Sequence, residues 1–497
     1  MMSCRIFWNV LALSVGTLGV SFPSSATPEA PLPAAVRQAL RQAQVPPSAL
    51  SALVAPLPDH PGQPVKPRLA TRELESVHPA SVMKLFTTYA GLQLLGPNHL
   101  WRTRIYVDGP VHNGVLQGNL IVRGSGDPKL VVERLQALIA QVMESGVREV
   151  RGNILLDRSV FDVPLKQESF DGDTLRPYNV SPESLLVNFK SVIYTFTPDS
   201  ASGRAAVRTE PPLAGLTVPA DVPLRKGPCQ DWRSDLKADF SQAQQTRFSG
   251  TYPASCGERQ WPVAYPSPAD YAARVFLAMW QQAGGQLTGE VRDGVTPPRA
   301  RLLLEAPSLP LVDVIADINK YSNNVMAQQL FLTLSSELGA PGRFEASRLR
   351  LNQWWKEQFP QQSAPILDNG SGLSRTERST AQSLTALLQR ASQGAEARAF
   401  RDSLSVAGVD GTTARLKERK PNSPVIGKAW LKTGSLRDVV SIAGYVQGDS
   451  GQMYTVVAII NHPHAGQARP AIDQLLEWTA NDSARLTAQK TAAHGRH

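Results

Sequence analysis

Helical and strand-like patterns at the two ends of this 497-residue chain enclose a long middle, residues 102–309, that reads as short strands broken by proline and glycine. That arrangement fits one α/β (α+β) domain split in sequence by an inserted β-rich region of roughly 200 residues. Length points the same way, because a single hydrophobic core seldom grows past about 250–300 residues. The expected division is a split domain over 27–101 and 310–480, a two-part insert over 102–309, and a polar tail over 481–497. Hydrophobic residues make up 42% of the chain and charged residues 19%, which excludes a disordered or fibrous protein.

A Pro/Ala-rich leader over 27–47 precedes the first ordered region. From Pro79 onward, Val82, Leu85, Phe86, Tyr89, Leu92 and Leu95 recur at helix spacing until Gly96-Pro97 ends the run. The period then falls to two, predicting strands over 104–107, 115–116, 119–122, 152–156, 191–196 and 205–210, with a helix over 128–144 among them. Helical patterning returns over 311–319, 325–337 and 343–357. Near the end, strands over 429–431, 439–447 and 454–461 include a turn at Gly448–Gly451, and a helix over 469–479 follows.

Residues 1–26 stand apart. Arg5 is their only charge, an apolar run follows it, and Ser24-Ser25-Ala26 ends in small residues, the pattern of a secretory signal cleaved after about Ala26. An uncleaved membrane anchor fits poorly, because the apolar stretch is short. No later segment has the length of a membrane span, so the mature chain is expected without a transmembrane segment and outside the cytoplasm. Cys4 departs with the signal and leaves Cys229 and Cys256, which in an oxidising compartment most simply form one disulfide; two unpaired thiols are the alternative. The net charge of +9 is a modest excess. It suits polyanionic envelope polymers or a solvated surface equally, and without a dense Lys/Arg run carrying aromatics it does not suggest nucleic acid.

Three short motifs carry the chemistry. They are Ser81-Val82-Met83-Lys84, Ser322-Asn323-Asn324 and Lys432-Thr433-Gly434, reading S-x-x-K, S-x-N and K-T-G. Ser81 and Lys84 fall on one face at a helix start, where free N–H groups and the positive dipole end lie. A hydroxyl nucleophile needs a base, and a lysine serves if burial or a second cation lowers its pKa. Alone, the pair is equally an exposed Ser and Lys on a helix. Ser322 and Asn324 lie between two helical runs and, alone, read better as a helix cap. Lys432-Thr433-Gly434 follows the apolar 429–431 and belongs at a strand end. There Lys432 and Thr433 suit a carboxylate and Gly434 permits close backbone approach, although a polar strand end running into a turn reads the same way. Together, and in this order, the three motifs point to acyl transfer without a catalytic histidine.

With these motifs go Gly118–Val122 followed by Gly124–Pro128, Tyr178–Pro182, and Asp368-Asn369-Gly370-Ser371-Gly372-Leu373-Ser374-Arg375. The whole resembles the low-molecular-mass class C penicillin-binding D-alanyl-D-alanine carboxypeptidases/endopeptidases, serine peptidase family S13, whose large insertion after S-x-x-K matches the β-rich middle. The resemblance implies a penicillin-binding, serine β-lactamase-like transpeptidase domain. Its implied activity is hydrolysis of D-Ala-D-Ala bonds, and of D-Ala-meso-diaminopimelate cross-links, in peptidoglycan stem peptides of the periplasm, with β-lactams as covalent inhibitors. It further implies Ser81 as the acylated nucleophile, Lys84 as its base, Ser322 as proton relay to the leaving amine, and Asn324 as orienter of the substrate amide and Lys84. Lys432 and Thr433 would hold the terminal carboxylate, and the backbone N–H groups of Ser81 and Ser435 would form the oxyanion hole. Arg375 belongs either to the cleft or to a surface salt bridge. Asn369 is an addition to the family's usual D-G-S-G-L-S-R and is expected to shift a turn.

A serine β-lactamase shares the motifs, but class A lactamases lack so large an insert. A non-catalytic cell-wall-binding protein with a vestigial site is a further alternative, which the intact motifs oppose. No metal site or cofactor is expected: H-E-x-x-H is absent, His462-Pro463-His464 reads as a loop, and Gly124–Asp127 lacks the continuation of a phosphate-binding loop.

Overall fold

The computed structural model describes residues 31–60, 62–164 and 169–483. The expected signal, 1–26, lies outside the described residues, as does the tail from 484 onward.

One six-stranded sheet joins the two ends of the chain. Its order is Ser405–Val406, Ala429–Leu436, Val439–Gln447, Met453–Asn461, Leu50–Pro56 and Leu69–Thr71, with every neighbour antiparallel. Both faces are covered, so side chains alternate between two cores. Leu53, Ala443, Tyr445, Val457 and Ile459 face the helices Lys84–Leu95, Leu311–Tyr321, Asn324–Ser336, Phe344–Gln358 and Ala381–Ala391. Ala52, Val54, Ile442, Val456 and Ala458 face the opposite way, onto Ala34–Gln42 and Arg469–Ala480. The result is a helix–sheet–helix sandwich.

The expected leader over 27–47 is corrected here. Ala34–Gln42 is a helix that buries Val36, Ala39 and Leu40 in the second core. The polar tail does not begin at 481 either, because Asp482 is buried and accepts from Ser450 N (2.8 Å) and the Tyr454 hydroxyl (3.0 Å).

Between Trp101 and Ser308 the chain builds its own layers. One five-stranded sheet orders Val291–Asp293, Ile154–Asp157, Leu120–Arg123, Arg102–Val107 and Arg301–Pro307; another orders Tyr252–Pro253, Asp221–Arg225, Arg204–Glu210, Ser191–Asp199 and Arg259–Ala264. The middle is not uniformly β-rich. Pro268–Gln282 is a 15-residue helix burying Tyr271, Val275, Phe276, Met279 and Trp280 against the helix Val132–Glu144 and the sheets. Proline at its first turn is the start signal that marks it. Cys229 and Cys256 form a disulfide here, with Cα atoms 4.8 Å apart.

Candidate active site

Ser81 does not lie in an α-helix. Ala80–Met83 is a 3₁₀ turn, and the α-helix begins at Lys84. Ala80, just before the nucleophile candidate, has φ 48°, a strained value for a residue with a Cβ. Several groups hold this turn. Ala80 N–H donates to His78 Nδ1 at 3.0 Å, so the opposite ring nitrogen carries the hydrogen and donates to Ser374 O at 2.6 Å. Asn461 accepts from His78 N at 2.8 Å and donates to His78 O at 2.9 Å. Ser441 Oγ donates to Pro79 O at 2.7 Å.

Two glycines lie against the turn. A Cβ on Gly372 would meet Ala80 O at 2.0 Å, and Gly372 has φ 82°; a Cβ on Gly434 would lie 2.9 Å from Pro79 O and 3.0 Å from Ser81 N. Both positions therefore exclude a side chain.

Lys84 is wholly buried, and its Nζ donates to Ser81 Oγ at 3.1 Å, Asn324 Oδ1 at 2.7 Å and the Ser371 carbonyl. Burial pushes this lysine down to about 7, against an upward pull from Glu377. A base of that strength, in hydrogen-bonding distance of a hydroxyl, can take its proton near neutral pH.

Ser322 ends its helix in the left-handed conformation, φ 58°, and its Oγ accepts from Lys432 Nζ at 2.9 Å. The capping role falls to Asn323, whose side chain accepts from Met326 N at 3.1 Å. That frees Asn324, one residue on, to face Lys84, while its Nδ2 donates to Tyr178 O at 3.1 Å.

The third motif departs from the sequence expectation. Lys432-Thr433-Gly434 is not at a strand end but inside the strand Ala429–Leu436, paired with Ala443, Ile442 and Ser441. The apolar partner strand carries the pairing through the polar stretch. Lys432 is wholly buried, and burial together with the Lys84 charge holds its ammonium well below the usual range. Thr433 Oγ1 donates to Thr412 Oγ1 at 2.7 Å, and exposed Ser435 accepts from Arg469 at 3.1 Å.

Of the two readings open for Arg375, the described residues show no salt bridge to it, and it lines a cavity instead. It donates to Phe170 O at 3.0 Å and lies 4.1 Å over the Phe170 ring, on the rim of a 500 Å³ cavity lined also by Tyr178, Gln328, Asp368 and Leu373. Asn369 lies in the turn, accepting from Ser371 N at 3.0 Å and donating to Leu373 O at 2.9 Å. The carbonyls of Ser371 and Tyr178 were not foreseen, since a backbone acceptor has no letter in a sequence. His462-Pro463-His464 is a turn, and the described residues contain no cluster of metal-ligating side chains.

A buried lysine of lowered pKa between a hydroxyl and an amide, with a second buried lysine opposite, can support serine acyl transfer without histidine or metal. Residues 62–482 match the family model described as D-Ala-D-Ala carboxypeptidase 3 (S13), and the chain belongs to that family of serine-type carboxypeptidases. It is 28% identical over 423 residues to the D-alanyl-D-alanine carboxypeptidase of Actinomadura sp. (strain R39), covering 81% of this chain and 76% of that one. It is 26% identical over 396 residues to D-alanyl-D-alanine carboxypeptidase DacB of Haemophilus influenzae, covering 77% and 80%. The fold matches the crystal structure of penicillin binding protein 4 (dacB) from Haemophilus influenzae with a TM-score of 0.69 and 21% identity, over 89% of this chain and 99% of that one. That protein has also been solved complexed with a β-lactam.

Proposed function

We propose that the protein hydrolyses D-Ala-D-Ala bonds of peptidoglycan stem peptides in the periplasm through an acyl-enzyme on Ser81. The observation that carries the reading is Lys84 Nζ 3.1 Å from Ser81 Oγ, held by Asn324 Oδ1 at 2.7 Å. Lys84 takes the Ser81 proton as Oγ attacks the scissile carbonyl. The Ser81 and Ser435 N–H groups receive the developing oxyanion. Ser322 then passes a proton to the departing D-alanine amine, and water releases the acyl group.

Lys432 and Thr433 hold the terminal carboxylate. Lys432 shares its cleft with Lys84, and an incoming carboxylate supplies the counter-charge that favours its ammonium form. The cavity beside Arg375 has room for a stem-peptide side chain, and cross-linked peptides entering there extend the activity to endopeptidase cleavage. The catalytic unit is the split one, over 27–101 and 310–480, with the insert contributing the Tyr178 carbonyl.

Intact mass of the mature protein with benzylpenicillin tests this reading. A persistent one-to-one adduct that is lost in Ser81→Ala is the expected result. Drug consumed without an adduct would mean a β-lactamase, and an adduct surviving in Ser81→Ala would remove Ser81 from its role.

A further inference from the structure

Glu377 has no part in the motifs, yet its carboxylate is the most fully ligated anion near the site. It is wholly buried, and no arginine, lysine or histidine pairs with it among the described residues. Instead Oε1 accepts from the N–H groups of Asp368 (3.1 Å), Asn369 (3.1 Å) and Gly370 (2.7 Å), and Oε2 from Gly372 (2.7 Å). Four donors and no acceptor suit an ionised carboxylate, because a proton there would find nothing to bond to. Burial first, with the like charge of Asp368, holds the carboxyl above its usual range, and the amides at Asp368, Gly370 and Gly372 pull it only part of the way down.

The loop so gathered is the one that reaches the nucleophile. Ser371 presents its carbonyl to Lys84 Nζ, Gly370 O accepts from Thr87 Oγ1 at 2.7 Å on the same helix as Lys84, and Gly372 lies on Ala80 O. Glu377 therefore bears on Lys84 from behind the loop, and the Lys84 charge in turn bears on Lys432 from the strand opposite.

We propose that Glu377 is a positioning residue that both shapes the 368–372 loop and sets the proton affinity at which Lys84 works. The inference rests on Lys84 acting as the base. Without Glu377, burial is left unopposed and drives Lys84 further toward its free amine. A purely structural role has a different consequence, since a loosened loop admits water and raises the lysine's pKa.

The test is the pH dependence of benzylpenicillin acylation, followed by intact mass, in wild type, Glu377→Gln and Glu377→Asp. The ascending limb in Glu377→Gln should lie about one pH unit below wild type, the scale set by a buried opposite charge. Glu377→Asp, keeping the charge, should keep the wild-type limb at a reduced plateau. A Glu377→Gln limb at or above the wild-type position overturns the proposal. Should that variant not fold, ¹³C shifts of the wild-type Glu377 carboxyl decide. A carboxyl signal that is ionised across the acylation limb, with an inflection where that limb falls, supports it; a protonated signal there, or no inflection, overturns it. Failure of wild type itself to form a Ser81 adduct would instead sink the Lys84 reading.

Discussion

An ammonium group wholly out of water costs more than its hydrogen bonds return, and Lys84 is such a group. Folded, it titrates at about 7, whereas an unfolded lysine titrates near about 10.4. Between those limits the unfolded chain holds the extra proton, so this site's contribution to stability rises with pH across the window and is least below about 7. Lys84→Met should therefore compare best with wild type at pH 6 and lose that advantage toward pH 10, read as the difference in Tm, while acylation is abolished. Lys432, depressed for the same reasons, reinforces the trend in wild type. At this scale the sequence was legible where chemistry resides in side chains. Ser81, Lys84, Ser322, Asn324 and Lys432 stand together in one cleft although the first and last are far apart in sequence. It was illegible where function rests on backbone carbonyls, and at His78 and Glu377, whose surroundings alone give them meaning.

Elements were legible in proportion to their periodicity. The helices Leu311–Tyr321, Asn324–Ser336 and Phe344–Gln358 fall within a residue or two of the ranges their apolar spacing predicts. The strand Leu50–Pro56 was missed because burial on both faces leaves it no alternation of polar and apolar residues. Proline and alanine dominate the neighbourhood of the Ala34–Gln42 helix, so its sequence reads as a leader. The junction at Ser322 makes element boundaries functional, since one residue ends a helix in the left-handed region, the next caps a new one, and the third faces Lys84. Asn323→Ala should lower stability by about 1 kcal/mol, the usual cost of a lost cap. It should also slow acylation about tenfold to a hundredfold, because Asn324 loses the frame that aims it. Urea denaturation and stopped-flow acylation check the two parts, and an unchanged rate in a destabilised variant would separate the cap from the site.

At the scale of the molecule, the insert and the sandwich each have a main apolar cluster, and a small one joins Val180, Leu186 and Ala264 of the insert to Val325 of the sandwich. The insert's apolar cluster draws its residues from Ile105 to Ala306, and Cys256 belongs to it. The cluster holding Met83, Leu85 and Phe86, beside Lys84, draws on neither cysteine. Closing the Cys229–Cys256 loop, a separation of 27 residues, stabilises by about 3–4 kcal/mol in the chain-entropy view. Replacing both cysteines with serine should cost that much in denaturant unfolding, yet leave acylation at 25 °C within about twofold of wild type, as distant sites act independently. A loss of acylation in the folded variant would tie the insert more closely to the chemistry than the Tyr178 contact does.

The antiparallel sheet has a temporal consequence. Its Leu50–Pro56 strand pairs with Met453–Asn461, and Thr455 Oγ1 donates to Ala55 O across 400 residues. A chain emerging from the ribosome presents its first strand long before the partner exists. The insert closes on itself, pairing Arg102–Val107 with Arg301–Pro307, and can fold before the last strands arrive, as domains of a growing chain do. The sheet that carries Lys432 closes only when the last strands arrive. A chain that stops short of the last strands thus carries Ser81 and Lys84 without the strand pairing that holds Lys432 beside Ser322.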